Sequence, residues 1–151
     1  LKMEGSAYDL KIKEMSDADI LVCIAASNNG EDIDAPKDVS LKGMRPYPAC
    51  FKYDNTLTVG ALKEENGGLL PDTSYTNYST SGKWVDIFAP GTGVLSTCRT
   101  TELLSEGFDA SGYLSAFGTS MAACGGSGGA AIFLRSVKER RRGKEDAAGW
   151  S

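Results

Sequence analysis

The sequence predicts an α/β protein built around at least one buried parallel strand, and three observations lead there. Ala7, Leu10, Ile12 and Met15 alternate with Asp9, Lys11, Lys13 and Glu14 at an imperfect helical period. This pattern gives way to Ile20-Leu21-Val22-Cys23-Ile24-Ala25-Ala26, apolar at every position, as a parallel strand covered on both faces should be. Short β-rich segments then recur between Gly and Pro stops, ahead of a small-residue run that opens a last helix after Gly118.

In chain order, the first helix is expected from Ala7 to Ala18, with Ser6 as its N-cap. Ser27-Asn28-Asn29-Gly30 breaks the following strand at its C-terminal end, where open α/β sheets hold ligands in loops. Asn28 is thus at a functional address, although asparagine is also an ordinary turn residue. Glu31 to Arg45 is polar, contains Pro36 and Gly43, and reads as a surface loop beside the cleft. Tyr47-Pro48-Ala49 leads into a strand at Asn55 to Ala61, and Lys63 to Leu70 reads as a polar turn. Val85 to Gly91 alternates into a Pro-Gly stop, and Val94-Leu95-Ser96-Thr97 and Tyr113-Leu114-Ser115 are two short strands enclosing the loop Arg99 to Ser111. The last helix is expected to reach about Arg140. Gly125, Gly126 and Gly129 should loosen its start, at a combined cost of roughly 2 to 3 kcal/mol in helix propensity. Ala130, Ala131, Ile132, Phe133, Leu134 and Val137 offer it an apolar face farther on. Residues 143–151 read as a charged, frayed tail, which leaves 1–142 as the domain.

With 151 residues, 41% hydrophobic and 24% charged, the chain can build one domain with a sizeable core. The net charge of -4 and pI near 4.9 argue against nucleic acid or an anionic membrane surface as partner. The apolar run Ile20 to Ala26 is too short to span a bilayer, and no charged segment followed by an apolar one opens the chain as a signal peptide would. Cys23, Cys50, Cys98 and Cys124 lie far apart, without a Cys-x-x-Cys pair or a histidine to complete a zinc site. Cys23, inside the apolar strand, reads as a small buried hydrophobe, and the disulfide state of all four stays open. The residues identify no cofactor.

The candidate chemistry centres on Phe117-Gly118-Thr119-Ser120-Met121-Ala122-Ala123. A serine at a helix start is first of all an N-cap candidate. Here Gly118, Ala122 and Ala123 crowd about Ser120 with minimal side chains, which lets backbone approach and leaves the hydroxyl accessible at the positive end of a helix dipole. The chain contains no histidine, so any Ser-His mechanism needs an imidazole from elsewhere.

Gly118-Thr119-Ser120-Met121-Ala122 resembles the nucleophile motif of the subtilisin-like serine proteases, and three more segments resemble that family in its order: Ala25 to Asn28, Tyr47 to Ala61 and Val85 to Gly91. The departures are Ser27 where glycine is usual, a bulkier Phe88, and Ala123 to Gly129 in the place of Pro-His-Val-Ala-Gly, with only Gly128 on a family glycine. The resemblance implies a three-layer fold, a mainly parallel sheet between helices, of which only the C-terminal half is present. It implies Ser120 as nucleophile and Asn28 as oxyanion donor, with Ser27, Tyr47, Pro48, Gly118 and Thr119 against the substrate. The Asp and His partners would lie in the missing N-terminal half. The implied partners are a protein or peptide substrate and that missing half, and a secreted or secretory-pathway location follows from the family alone, as does any calcium. A related family replaces the histidine by glutamate, but its oxyanion donor is aspartate, so Asn28 favours the histidine type. The alternative is a protease-derived, non-catalytic interaction domain, for which the absent histidine speaks.

Overall fold

The computed structural model describes residues 5–30, 47–65, 68–71, 79–97 and 112–148. The expected loops over Glu31 to Arg45 and Arg99 to Ser111 lie outside them. Helix α1 (Ala7–Asp17) starts as the sequence expects, with the Ser6 hydroxyl accepting from the Asp9 N–H at 3.2 Å. The Asp9 carboxylate returns the favour by accepting from the Gly5 N–H at 2.7 Å, and it also accepts from the Tyr53 hydroxyl. These two bonds hold the Asp9 carboxyl below the usual carboxylate range, Tyr53 contributing most. Asn55 ties the far end of α1 to the sheet. Its backbone N–H donates to Ser16 Oγ at 3.1 Å and its amide donates to the Ser16 carbonyl at 3.1 Å and to Asp19 Oδ1 at 3.0 Å.

Strand β1 (Val22–Ala25) runs parallel to β2 (Thr56–Glu65), with Val22 opposite Thr56 and Ala25 opposite Val59. Among the described residues β1 pairs with β2 alone. That is why the stretch, apolar throughout, is only partly covered: Ile24 and Ala26 are buried, Val22, Cys23 and Ala25 half-buried, and Ile20 is exposed. Desolvation of the half-buried Cys23 pushes its thiol up from the ordinary value. Strand β4 (Ile87–Pro90) lies parallel to β2 from Val59 to Leu62, the bond from the Gly91 N–H to the Leu62 carbonyl continuing the ladder. Beyond it, β2 pairs antiparallel with β3 (Gly68–Pro71). The polar turn expected at Lys63 to Leu70 is therefore two paired strands, because backbone pairing overrides the weak β preference of Lys and Glu. Phe88, the bulkier residue, fits because its ring covers Gly60, where a side chain would come within 2.5 Å of it.

Strands β5 (Val94–Thr97) and β6 (Tyr113–Ala116) form a separate antiparallel ribbon. Helix α2 (Thr119–Ala148) follows it and packs across β1, β2 and β4. Val59, Ala61, Ala89 and Ala122 make the core beneath it, with Leu57 and Ala123 at its edge. Three expectations for α2 need correction. The glycines do not loosen its start: Gly126 faces Val59, and a methyl group there would lie 2.9 Å from one Val59 methyl and 3.1 Å from the other, so its absence lets helix and sheet close up. The larger apolar residues do not form the buried face, since Ile132, Phe133 and Leu134 are 73%, 66% and 54% exposed. The buried stripe is instead Ala122 and Gly126, one turn apart. Finally, the helix does not stop near Arg140, nor do residues 143–148 leave it as a tail, because Lys144-Glu145-Asp146-Ala147-Ala148 contains enough good helix formers to propagate a turn already begun. Among the described residues no helix is long and apolar enough to cross a membrane.

Candidate active site

The N-terminal turn of α2 meets the C-terminal end of β1 at one corner of the sheet. The Ser27 carbonyl accepts from the Thr80 N–H at 3.1 Å, and the Ala61 N–H, past the end of β1, donates to Ser79 Oγ at 2.9 Å. Segment 79–80 thus takes over where β1 leaves off, and it holds the turn after the strand. Ser27 itself has φ +93°, a region where a side chain is strained by about 1 kcal/mol or more. That explains in backbone terms why glycine suits this position. The turn lifts Asn28 to an exposed position facing α2.

Asn28 then caps that helix from 91 residues away. Its Oδ1 accepts from the Thr119 N–H at 3.0 Å and from the Thr119 hydroxyl at 2.8 Å. Two donors on the carbonyl end leave one orientation for the amide, with Nδ2 turned away from Thr119. Gly118, at φ +148°, supplies the rest of the geometry. The point where its Cβ would stand lies 3.5 Å from Asn28 Nδ2, 3.8 Å from the Ser120 backbone nitrogen and 3.4 Å from Met121 Sδ. Two N–H-bearing nitrogens therefore border the same small space, at the positive end of a long helix. The Gly118 N–H is anchored on the Gly91 carbonyl at 2.8 Å, and the Gly118 carbonyl accepts the first helical bond, from Met121 at 3.1 Å. Gly91 has its own reason to be glycine: a side chain there would meet Ala61 Cβ at 2.6 Å and the Gly118 carbonyl at 3.0 Å.

Ser120 is the second residue of α2 and exposed, and among the described residues its hydroxyl has no hydrogen-bond partner. The capping role open to a serine at a helix start is filled by Asn28 instead. The buried Thr119, 1% exposed, spends its hydroxyl on Asn28. Asn28, Gly118, Thr119 and Ser120 thus come together, with Ser27 directly behind Asn28. Tyr47 and Pro48, joined by a cis peptide bond, have contacts elsewhere: the Tyr47 ring lies 5.0 Å from that of Phe51, and Pro48 lines a groove between α1 and β1 with Ile12, Met15 and Cys23. Gly91, Ser79 and Thr80 were not among the residues singled out for the site. Gly91 has a signal in its Pro-Gly stop, but Ser79 acts through its hydroxyl on the Ala61 N–H and Thr80 through its own N–H, contacts that no local pattern announces. Among the described residues no three His, Cys, Asp or Glu side chains are grouped to hold a metal ion.

Residues 2–143 match the model of the subtilase family, Peptidase S8, and the chain belongs to that family. It is 28% identical over 136 residues to a cuticle-degrading serine protease of Arthrobotrys oligospora, covering 90% of this chain and 26% of that protein. It is 29% identical over 134 residues to serine protease AprX of Bacillus subtilis, covering 82% of this chain and 28% of that protein. Among solved structures, a lanthipeptide protease superposes with a TM-score of 0.61 at 23% identity, over 89% of this chain and 41% of the other, a likeness of fold. The chain spans about a quarter of the length of the curated relatives it matches.

Proposed function

We propose that these residues form the nucleophile and oxyanion corner of a serine endopeptidase, whose acid and base partners lie in polypeptide outside this chain. The observation that carries this reading is the convergence of Asn28 Nδ2 and the Ser120 N–H on one space beside Gly118, next to an exposed hydroxyl that has no hydrogen-bond partner among the described residues. Ser120 Oγ attacks the scissile carbonyl carbon while its proton passes to an imidazole supplied from outside the chain. The carbonyl oxygen gathers negative charge between the two donors. Collapse of the tetrahedral intermediate expels the amine, which takes the proton from the imidazolium, and water then releases the acyl group from Ser120 by the same route in reverse. In this reading Thr119 is a positioning residue, because its two bonds to Asn28 Oδ1 keep Nδ2 aimed at the oxyanion.

The chain alone should not hydrolyse peptides. A carboxylate at the ordinary value near 4 is too weak a base, and a lysine at the ordinary value of about 10.4 is protonated at neutral pH. The test is Asn28→Ala in the full-length protein. It should lower kcat with KM nearly unchanged, because the bond to Nδ2 strengthens only in the transition state. The expected loss of about 10² to 10³ is an established value for such a donor in this same family, not one derived from this structure. Equal activity in the variant would return Asn28 to the role of a helix cap. Labelling of Ser120 by a fluorophosphonate in the isolated chain would show that another base serves. A full-length protein without Ser120-dependent turnover would favour the non-catalytic interaction domain.

A further inference from the structure

Arg140-Arg141-Arg142 is the one place in the chain where basic residues stand side by side. It belongs to a wider positive stretch, since Arg135, Lys138, Arg140, Arg141, Arg142 and Lys144 cluster in a chain whose net charge is -4. Helix α2 carries this run far from its support. Its last buried residue among those described is Gly126, and none of residues 127–141 is buried. Gly128 and Gly129 have nothing within 4 Å of where a side chain would start. The helix there stands on its own hydrogen bonds, and a helix without tertiary packing is marginal in water, so its turns open locally at little cost. Gly143, a poor helix former, follows the run directly and weakens it further. Arg135 is paired with Glu139 at 2.8 Å, whereas Arg140 and Arg141 are exposed and have no ion-pair partner among the described residues.

We propose that this run is a processing site, at which an endopeptidase with acidic subsites for paired basic residues hydrolyses the peptide bond between Arg142 and Gly143. Water adds across that bond, leaving a carboxylate on Arg142 and a free amine on Gly143. Arginines offer such an enzyme charge-assisted, bidentate bonds, and the glycine after them brings no side chain to hinder approach. From Arg135 to Asp146 only Val137 carries an apolar side chain, so the stretch gives other polypeptide little apolar surface to cover and stays open to solvent. The match to the family closes at residue 143, so the cut parts the subtilase domain from the sequence beyond it. A polyanion is the other partner that clustered arginines suit, but Glu139 ahead of the run and Glu145 and Asp146 after it repel one. The proposal is independent of the role of Ser120.

The experiment treats full-length Ser120→Ala protein, which cannot cut itself through Ser120, with an endopeptidase specific for paired basic residues, and maps the cuts by mass spectrometry. Cleavage after Arg142 should be at least about tenfold faster than in the same protein carrying Arg141→Gln and Arg142→Gln, whose circular dichroism should be unchanged. A synthetic peptide of residues 136–148 supplies the unfolded reference. The protein should be cut within about tenfold of the peptide's rate, because local opening costs little. A protein that resists while the peptide is cut would show that the run is shielded, and equal rates with and without the arginines would show that they are not read. Either result overturns the proposal. So does arginine-dependent retention of the protein on immobilised heparin without cleavage, which would make the run a polyanion patch. In protein recovered from the cells that make it, a C-terminus within residues 140–142 is the expected end, and molecules all continuous through Gly143 would refute processing.

Discussion

The two helices among the described residues begin in opposite ways. Helix α1 is capped by its own neighbours, Ser6 Oγ accepting from the Asp9 N–H and the Asp9 carboxylate from the Gly5 N–H, all within five residues. Helix α2 is capped by Asn28 from a distant strand, and its first turn rests on Gly118 and, through it, Gly91. Because the capping oxygen comes from outside, the Ser120 hydroxyl is spared, and the other end of the same asparagine faces the space beside it. A local cap stabilises a helix, whereas a cap supplied from across the fold also builds a site.

The comparison breaks most readily at Gly91. Gly91→Ala would press a methyl group against Ala61, Ala122 and the Gly118 carbonyl, all of them fixed by the sheet or the helix. We expect a loss of about 2 to 3 kcal/mol, measured by urea denaturation with an unchanged slope, together with reduced turnover of the full-length protein. A smaller and two-sided effect belongs to the glycines inside α2. Gly126→Ala should destabilise by about 1 kcal/mol net, strain against the stiff Val59 outweighing the gain in helix propensity, while Gly128→Ala, with nothing within 4 Å, should stabilise by about 1 kcal/mol. Equal stabilisation by both would mean that α2 is not held close to the sheet at Gly126.

Ser27→Gly sharpens the contrast by relieving strain behind the distant cap. It should stabilise by about 0.5 to 1 kcal/mol, less than the strain itself because glycine adds freedom to the unfolded chain, and thermal denaturation of the pair reads it directly. The smallest expected effect is at the local cap. Asp9 has a folded-state pKa below its unfolded value near 4, so its contribution is fully present above about pH 4 and is lost as pH falls through the folded value. The stability gap between wild type and Asp9→Asn should therefore narrow when urea midpoints at pH 7 are compared with those near pH 3. A gap that stayed constant would remove Asp9 ionisation from the α1 cap.

How much of this was legible in the sequence follows from distance along the chain. Ser6 as cap, α1, the two short strands of the ribbon and the Pro-Gly stop after β4 depend on neighbouring residues, and all were legible. The firm start of α2 is not legible from glycine propensity taken without the sheet, because the loss at Gly126 is offset by closer packing on Val59. Residues 63–70 were misread for a similar reason, as the partner strand decides what Lys63 to Glu65 become.

The same division runs through the site. The residues themselves determined that Ser120 stands at a helix start among small neighbours, that Asn28 ends a buried strand, and that no histidine is available. Only the tertiary structure decided that Asn28 turns its carbonyl to Thr119 and its amide toward Ser120, that Ser27 takes a backbone conformation suited to glycine, and that Gly91 carries Gly118. Composition and period report on burial and local hydrogen bonding. Which end of an amide faces which nitrogen depends on two segments 91 residues apart meeting at one edge of a sheet, and no local pattern encodes that meeting.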